Sequence, residues 1–265
     1  MKMTEAKELG AASLKGEVRD RYAAIAMVGG CCGSPATTGS CCGDSSISLQ
    51  LGYTAEELAA LPAGANLGLG CGNPAVFSAL RPGQVVLDLG SGAGIDCFLA
   101  ARKVGPRGQV IGVDMTPEML LKARANARSG KYSNVEFRLG EIEHLPVADS
   151  SVDVVISNCV INLAPDKGVV YAEAYRALRP GGRLAVSDVV ATRPITARQR
   201  ADPSLWSSCS SGAIPIRTVK ALLKKAGFAE IAVDLGRQAD TPSTLQSQAS
   251  LGVVSAAIRA KKPAR

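Results

Sequence analysis

Val85-Val86-Leu87-Asp88-Leu89-Gly90-Ser91-Gly92-Ala93-Gly94 is the stretch whose reading decides the fold. A short apolar run, Val85–Leu89, reads as a buried strand and passes directly into a Gly-x-Gly-x-Gly turn, after which a helix pattern runs to about Lys103. Glycine at such a turn lets the chain bend tightly and lets a ligand approach the backbone closely. Outward from this point strands and helices alternate. Strands are expected at Gln109–Asp114, Val135–Leu139 and residues 152–157 and 183–188. Helices are expected at Pro117–Ser129 and at residues 166–178, the latter ended by Arg179-Pro180-Gly181-Gly182. A polar insertion (191–215), a helix at Ile216–Ala226 and late strands near 231–235 and 251–259 complete the C-terminal third. This alternation specifies an α/β fold on a mostly parallel sheet.

Upstream, residues 1–28 read as a helix through Val18, Tyr22, Ile25 and Met27, and residues 29–48, rich in Gly, Ser, Thr and Cys, as a loop. Thr54-Ala55-Glu56-Glu57 has the form of a capping box opening a short helix through Leu61. A glycine-rich turn runs from 64 to 72, and Asn73-Pro74 begins another short helix toward Leu80. No internal repeat is present.

The bulk numbers narrow the function classes. A chain of 265 residues, 46% hydrophobic and 20% charged, has the composition of a soluble globular protein. It contains no apolar run long enough for a membrane span, and the charged N-terminus lacks a signal-peptide core, so a cytoplasmic location with reduced thiols is expected. The formal charge of +7 is dispersed, and aromatics, at 4%, do not alternate with basic residues as a stacking platform requires. Nucleic acid is therefore not expected as a partner. No exposed pairing element is evident, and a monomer is expected. Eight cysteines, including the vicinal pairs Cys31-Cys32 and Cys41-Cys42, exceed what packing alone asks for.

Around the glycine turn, Asp88 offers a carboxylate to a positively charged amino group. Asp114 ends the second strand, where it either accepts hydrogen bonds from a ribose or caps the helix at Thr116-Pro117. Met115 is placed beside an adenine, and Ile142 and Glu143, in Glu141-Ile142-Glu143, either reach the adenine edge or form a solvated loop. The spacing of Gly90, Gly92 and Gly94 differs from the Gly-x-Gly-x-x-Gly of dinucleotide sites. Together with Leu178-Arg179-Pro180-Gly181-Gly182-Arg183-Leu184, these features resemble the class I S-adenosylmethionine-dependent methyltransferases over about residues 80–190. The resemblance implies a Rossmann-like fold with helices on both faces of a seven-stranded sheet and S-adenosylmethionine as methyl donor. Three parts follow: an N-terminal helix and Cys-rich loop (1–65), the donor-binding core (66–190), and an insertion with the last strands (191–265).

The acceptor side is unusual. The sole histidine, His144, falls on the adenine side and is read as structural, so no obvious general base stands near the methyl group. Cysteines stand there instead. Cys159 follows the fourth strand, Cys71 precedes the first and Cys209 lies in the insertion, so topology can bring all three to one sheet edge. Cys97, on the helix after the turn, is read as a core residue. Thiolates select soft centres; zinc is one, although its structural sites generally want four ligands. Trivalent arsenic takes three sulfurs in a pyramid and keeps a lone pair that can attack a sulfonium methyl without losing a proton.

The segments 66–74, 140–149 and 158–167, with Ser187-Asp188-Val189-Val190, resemble the arsenite methyltransferase family, and the similarity extends over nearly all of residues 50–235. The resemblance implies arsenic bound by Cys71, Cys159 and Cys209, with a further thiol from the N-terminal loop for which Cys41 or Cys42 is the best match, ahead of Cys31 and Cys32. It also implies arsenite or its thiol conjugates as substrate, mono- and dimethylated products, and an external thiol reductant such as glutathione or thioredoxin. Asp202-Pro203-Ser204 departs from the family pattern ahead of Cys209. Two other readings stay open: methyl transfer to a small carbon, oxygen or nitrogen acceptor, which would survive Cys159→Ser, and thiol-based sequestration of metalloid or zinc without turnover.

Overall fold

A computed structural model describes residues 2–28, 45–74, 78–200, 202, 205–206, 209–236 and 251–264. The cysteines at 31, 32, 41 and 42 lie outside the described residues. The central strands are mostly apolar because both faces are covered, as parallel sheets require. β1 (Val85–Leu89) and β2 (Gln109–Asp114) are followed by β3 (Val135–Leu139), β4 (Val152–Asn158) and β5 (Leu178–Ala191). β6 (Ala229–Leu235) and β7 (Val253–Lys261) complete a seven-stranded sheet ordered β3-β2-β1-β4-β5-β7-β6. β1 to β5 pair in parallel, whereas β7 runs antiparallel between β5 and β6. The strand order reverses between β1 and β4, which opens a crevice at their carboxyl ends.

The N-terminal segment holds α1 (Lys2–Val28), α2 (Ser45–Gln50) and α3 (Ala55–Ala59). The expected loop over 29–48 does not reach Ser48, since Ser45 begins a helix, and residues 29–44 lie outside the described residues. The Thr54 capping box forms as read: Glu57 N donates to Thr54 Oγ1 at 3.1 Å and Thr54 N donates to Glu57 Oε2 at 3.2 Å. Around the sheet, α4 (Ile95–Val104) and α5 (Pro117–Ser129) cover one face. Met119, Leu120, Ala123 and Asn126 place the inner stripe of α5 at helical spacing. On the other face lie α6 (Lys167–Ala177), capped by Asp166, and α8 (Ile216–Ala226), with α7 (Ala197–Arg200) between them in the chain. Phe98 and Leu87 are fully buried, each stabilising the fold by about 1.5–3 kcal/mol relative to exposure.

β5 is longer at both ends than the expected 183–188. Its early residues bulge against β4, where Val152 pairs with Leu178 and Val154 with Arg183. Its late residues, 189–191, pair with 253–255 of β7, so the insertion hangs from a strand rather than from a loop.

Candidate active site

The glycine turn after β1 forms the floor of a cavity of about 330 Å³. Gly90 N and Ser91 N both donate to Val113 O, locking the turn to β2. Gly90 has φ +69° and approaches so closely that a Cβ there would lie 2.5 Å from Val160. Gly92, at φ +52°, would meet nothing within 4 Å and opens onto the cavity. Its N–H donates to Asp114 Oδ2 at 2.9 Å, while Thr116 N donates to Asp114 Oδ1 at 2.8 Å. Asp114 therefore ties the glycine turn to Thr116, the residue that opens α5, without capping a helical N–H, and it lines the cavity at once, each carboxylate oxygen keeping a further lone pair. Burial pushes its pKa up against these hydrogen bonds. Ser91 Oγ is buried without a partner at the cavity wall.

Met115, Ile142 and Glu143 line the same cavity. Asp88 does not: it stands behind the turn at 2% exposure and accepts from Cys97 Sγ at 3.2 Å. Burial and then Asp96 raise its pKa well above the ordinary carboxylate value. Gly94 caps α4, whose first turn instead brings Asp96 to the cavity, where burial lifts its pKa to about 6. Asp96 is not among the residues that the motif singles out; its signal is an acid in the first turn of the helix that follows a glycine turn.

The reading also assigned no role to α1, which roofs the cavity with Val18, Tyr22 and Ile25. Lys15 ties it across the mouth to Glu141 Oε2 (2.6 Å) and Glu143 Oε1 (3.0 Å). Lys122 Nζ donates to Ala26 O at 3.2 Å from the opposite side. The stripe was visible, but a stripe does not say which surface it covers.

The three thiols converge. Cys159 and Cys209 line the same cavity, and the Cys159 thiol lies within hydrogen-bonding reach of both Cys209 and Cys71. Cys209 Sγ donates to Cys159 O at 2.9 Å. Both Cys159 (φ +58°) and Cys209 (φ +64°) occupy the left-handed region, a strain of about 1–3 kcal/mol per residue that persists only where the surroundings impose it. Trp206, buried beside Cys209, donates its Nε1–H to Leu163 O at 3.1 Å and fixes the insertion to the turn after β4. Pro203 and Ser204 of the departing stretch lie outside the described residues; the Cys209 thiol itself faces Cys159.

The surroundings of Cys71 and Cys159 favour the protonated thiol. Burial pushes the Cys71 thiol up, and hydrogen bonding to Cys209 and Cys71, with burial, pushes Cys159 well up. Cys97 is raised well above its ordinary value by burial and by Asp88.

One side chain joins the two halves. Asn158, at the end of β4, accepts from Cys71 N at 3.0 Å through Oδ1. Its Nδ2 contacts Gly72 O (2.7 Å), Tyr53 Oη (3.0 Å) and Asp96 Oδ2 (3.1 Å). Tyr53 in turn donates to Asp96 Oδ1 at 2.8 Å. A buried carboxylate, Asp188, comes close as well: one of its oxygens and the Cys71 and Cys159 sulfurs lie within 4.8 Å of one another.

The profile of a methyltransferase domain matches residues 80–236. An arsenite methyltransferase of Halobacterium salinarum is 53% identical over 259 residues, covering 94% of this chain and 66% of that protein. The human arsenite methyltransferase is 41% identical over 152 residues, 54% of this chain and 40% of its own length. The chain spans between about two fifths and two thirds of the length of these curated relatives. Among solved structures, an arsenic (III) S-adenosylmethionine methyltransferase from Chlamydomonas reinhardtii superposes with a TM-score of 0.61 at 36% identity, covering 82% of this chain and 73% of the other. With its class I methyltransferase fold and its converging thiols, the chain belongs to the arsenite methyltransferase family.

Proposed function

We propose that this chain transfers methyl groups from S-adenosylmethionine to trivalent arsenic held by Cys71, Cys159 and Cys209. The observation that carries the reading is that two of the three thiols line the same cavity as the glycine turn and Asp114, with the third in contact with them. The cavity residues fit the donor: Ser91 Oγ lacks a partner, Gly92 offers open backbone, and Asp114 retains acceptor capacity for ribose hydroxyls. Met115, Ile142 and Glu143 would flank the adenine, and Asp88 would act from behind the turn, setting the charge of the donor end together with Asp96. S-adenosylmethionine, when bound, supplies an electrophilic methyl group on a sulfonium.

Arsenite enters as a neutral oxyacid or thiol conjugate. Each cysteine displaces one hydroxyl or conjugated thiol, and its proton leaves with that group as water or free thiol, so the raised pKa values of Cys71 and Cys159 are no obstacle. Three sulfurs in a pyramid leave the arsenic lone pair free to form the As–C bond while the donor's C–S electron pair returns to sulfur. No proton is removed, consistent with the lack of a histidine among the cavity-lining residues. The chain's contribution is positioning and exclusion of water by the α1 roof.

Mono- and dimethylated products would follow, with an external thiol such as glutathione or thioredoxin returning arsenic to the trivalent state. Cys41 or Cys42 would supply a further thiol during entry. The division at 66 and 191 would then separate roof, donor core and arsenic-bearing insertion. Among the described residues no helix is long and apolar enough to cross a membrane. We take the chain to act in the cytoplasm as a monomer. Incubation with arsenite, S-adenosylmethionine and thiol, followed by arsenic speciation, should give methylated arsenic; its absence would refute the reading.

A further inference from the structure

Arsenic bound by three sulfurs makes no use of a carboxylate, yet Asp188 is buried at 3% exposure beside two of those sulfurs. It is also oriented. Asn162 Nδ2 and Val189 N each donate to Oδ1 at 2.8 Å, and Asn162 N donates to Oδ2 at 3.2 Å. Two oxygens offer about four lone-pair sites, so these bonds hold the carboxylate in place without exhausting it. Lys167, the cation beside it, sends its ammonium to the carbonyls of Asn162 (3.3 Å) and Ala164 (3.0 Å).

We propose that Cys71, Cys159, Cys209 and Asp188 form a tetrahedral site for a borderline divalent cation of the zinc class, which competes with arsenic for the same sulfurs. The donor set suits such a site: three thiols and one carboxylate, the carboxylate already held by Asn162 and the Val189 N–H. Tetrahedral zinc with Zn–S near 2.3 Å needs ligand atoms roughly 3.8 Å apart. Cys71, Cys159 and Asp188 lie within 4.8 Å of one another, so a contraction of at most about 1 Å brings these three to metal distance, and Cys209, whose Sγ now donates to the Cys159 carbonyl, must turn in as the fourth ligand. On binding, three thiols release three protons to solvent, and the filled site carries the same net charge as a four-cysteine zinc site. Zinc has no lone pair to attack a methyl group, so the filled site is a dead end for transfer. The competition rests on the arsenic reading above; the cation site stands on its own geometry.

The test uses the full reduced chain with Cys31, Cys32, Cys41 and Cys42 replaced by Ser, titrated with cobalt(II) as a spectroscopic stand-in and then with zinc(II). One equivalent of cobalt should give intense tetrahedral ligand-field bands with thiolate charge transfer, displaced by zinc and by arsenite. Cys159→Ser should abolish the spectrum and Cys97→Ser should not. Asp188→Asn should weaken cobalt at least about tenfold while arsenite binding persists, as loss of one metal ligand of four implies. Should Asp188→Asn not fold, zinc X-ray absorption of the unaltered site decides the matter: three sulfurs and one oxygen are expected. A weak octahedral cobalt spectrum, a zinc shell without the oxygen, or an unchanged affinity in Asp188→Asn would overturn the proposal. In the untreated enzyme zinc should raise the KM for arsenite and leave kcat unchanged. Metal-free enzyme that fails to methylate arsenite would refute the function instead, whatever the cobalt spectrum shows.

Discussion

The two ends of the cavity are built differently. At the donor end, regular elements do the work: a strand, a glycine turn and a helix place backbone amides, and the deciding contact, Gly92 to Asp114, spans 22 residues between neighbouring strands. At the thiol end the contacts reach far along the chain. Ser255 Oγ donates to Cys71 O across 184 residues, and Cys71 N reaches Asn158 across 87. Two of the three thiols there sit in left-handed backbone. The donor end is thus preorganised by local chain geometry, whereas the thiol end exists only once the whole sheet and its insertion are assembled.

If that contrast is right, variants should separate the two ends. The largest effect is expected from Cys159→Ser, which removes the sulfur that touches both others. Methylation of arsenite should fall below detection while calorimetric binding of S-adenosylmethionine stays unchanged; retained turnover would favour a different acceptor. Asn158→Ala should injure both ends, because it strips Cys71 N, Tyr53 and Asp96 of a partner. Tyr53 and Asp96 keep each other, whereas Cys71 N and Gly72 O lose the amide; leaving buried groups unpaired costs about 1–3 kcal/mol each, so urea unfolding should show a loss of about 2–5 kcal/mol with weaker binding of both ligands. Gly90→Ala should injure the donor end more than the thiol end, which it reaches only through Val160. Its Cβ enters the Val160 side chain, costing about 2–4 kcal/mol from overpacking and left-handed strain, and arsenite binding should be the less affected.

The smallest effect concerns pH. Burial first among its causes, Asp96 has a folded pKa of about 6, above the unfolded carboxylate value of about 4. The folded chain therefore binds this proton more tightly, and the group costs stability increasingly as pH rises from about 4 to about 6, levelling off above. A two-unit shift sets a ceiling of about 3 kcal/mol. Asp96→Asn should flatten that slope in urea titrations across the window; an unaltered slope would place the proton elsewhere.

The same contrast explains what was legible in the sequence. β1, β2 and β3 and helices α5 and α8 lie where periodicity and punctuation place them, because Gly90–Gly94, Pro117 and Gly227 act on their immediate neighbours. The convergence of the three cysteines was inferable from strand order alone. Their conformation was not, since cysteine has no preference for positive φ and only tertiary packing imposes it on Cys159 and Cys209. Asp188 was visible as part of Ser187-Asp188-Val189-Val190, but nothing local says that a strand residue faces two distant thiols. Val18, Tyr22 and Ile25 marked an apolar stripe on α1, and the cavity beneath it is made by residues about 40 to 190 positions away.

X-ray absorption at the arsenic edge tests the account most directly, using enzyme whose N-terminal cysteines 31, 32, 41 and 42 are Ser, loaded with one equivalent of arsenite. Three sulfur neighbours and no oxygen are predicted, falling to two sulfurs and one oxygen in Cys71→Ser. An oxygen-containing shell before that substitution, or a sulfur count indifferent to it, would contradict the claim that Cys71, Cys159 and Cys209 hold the arsenic.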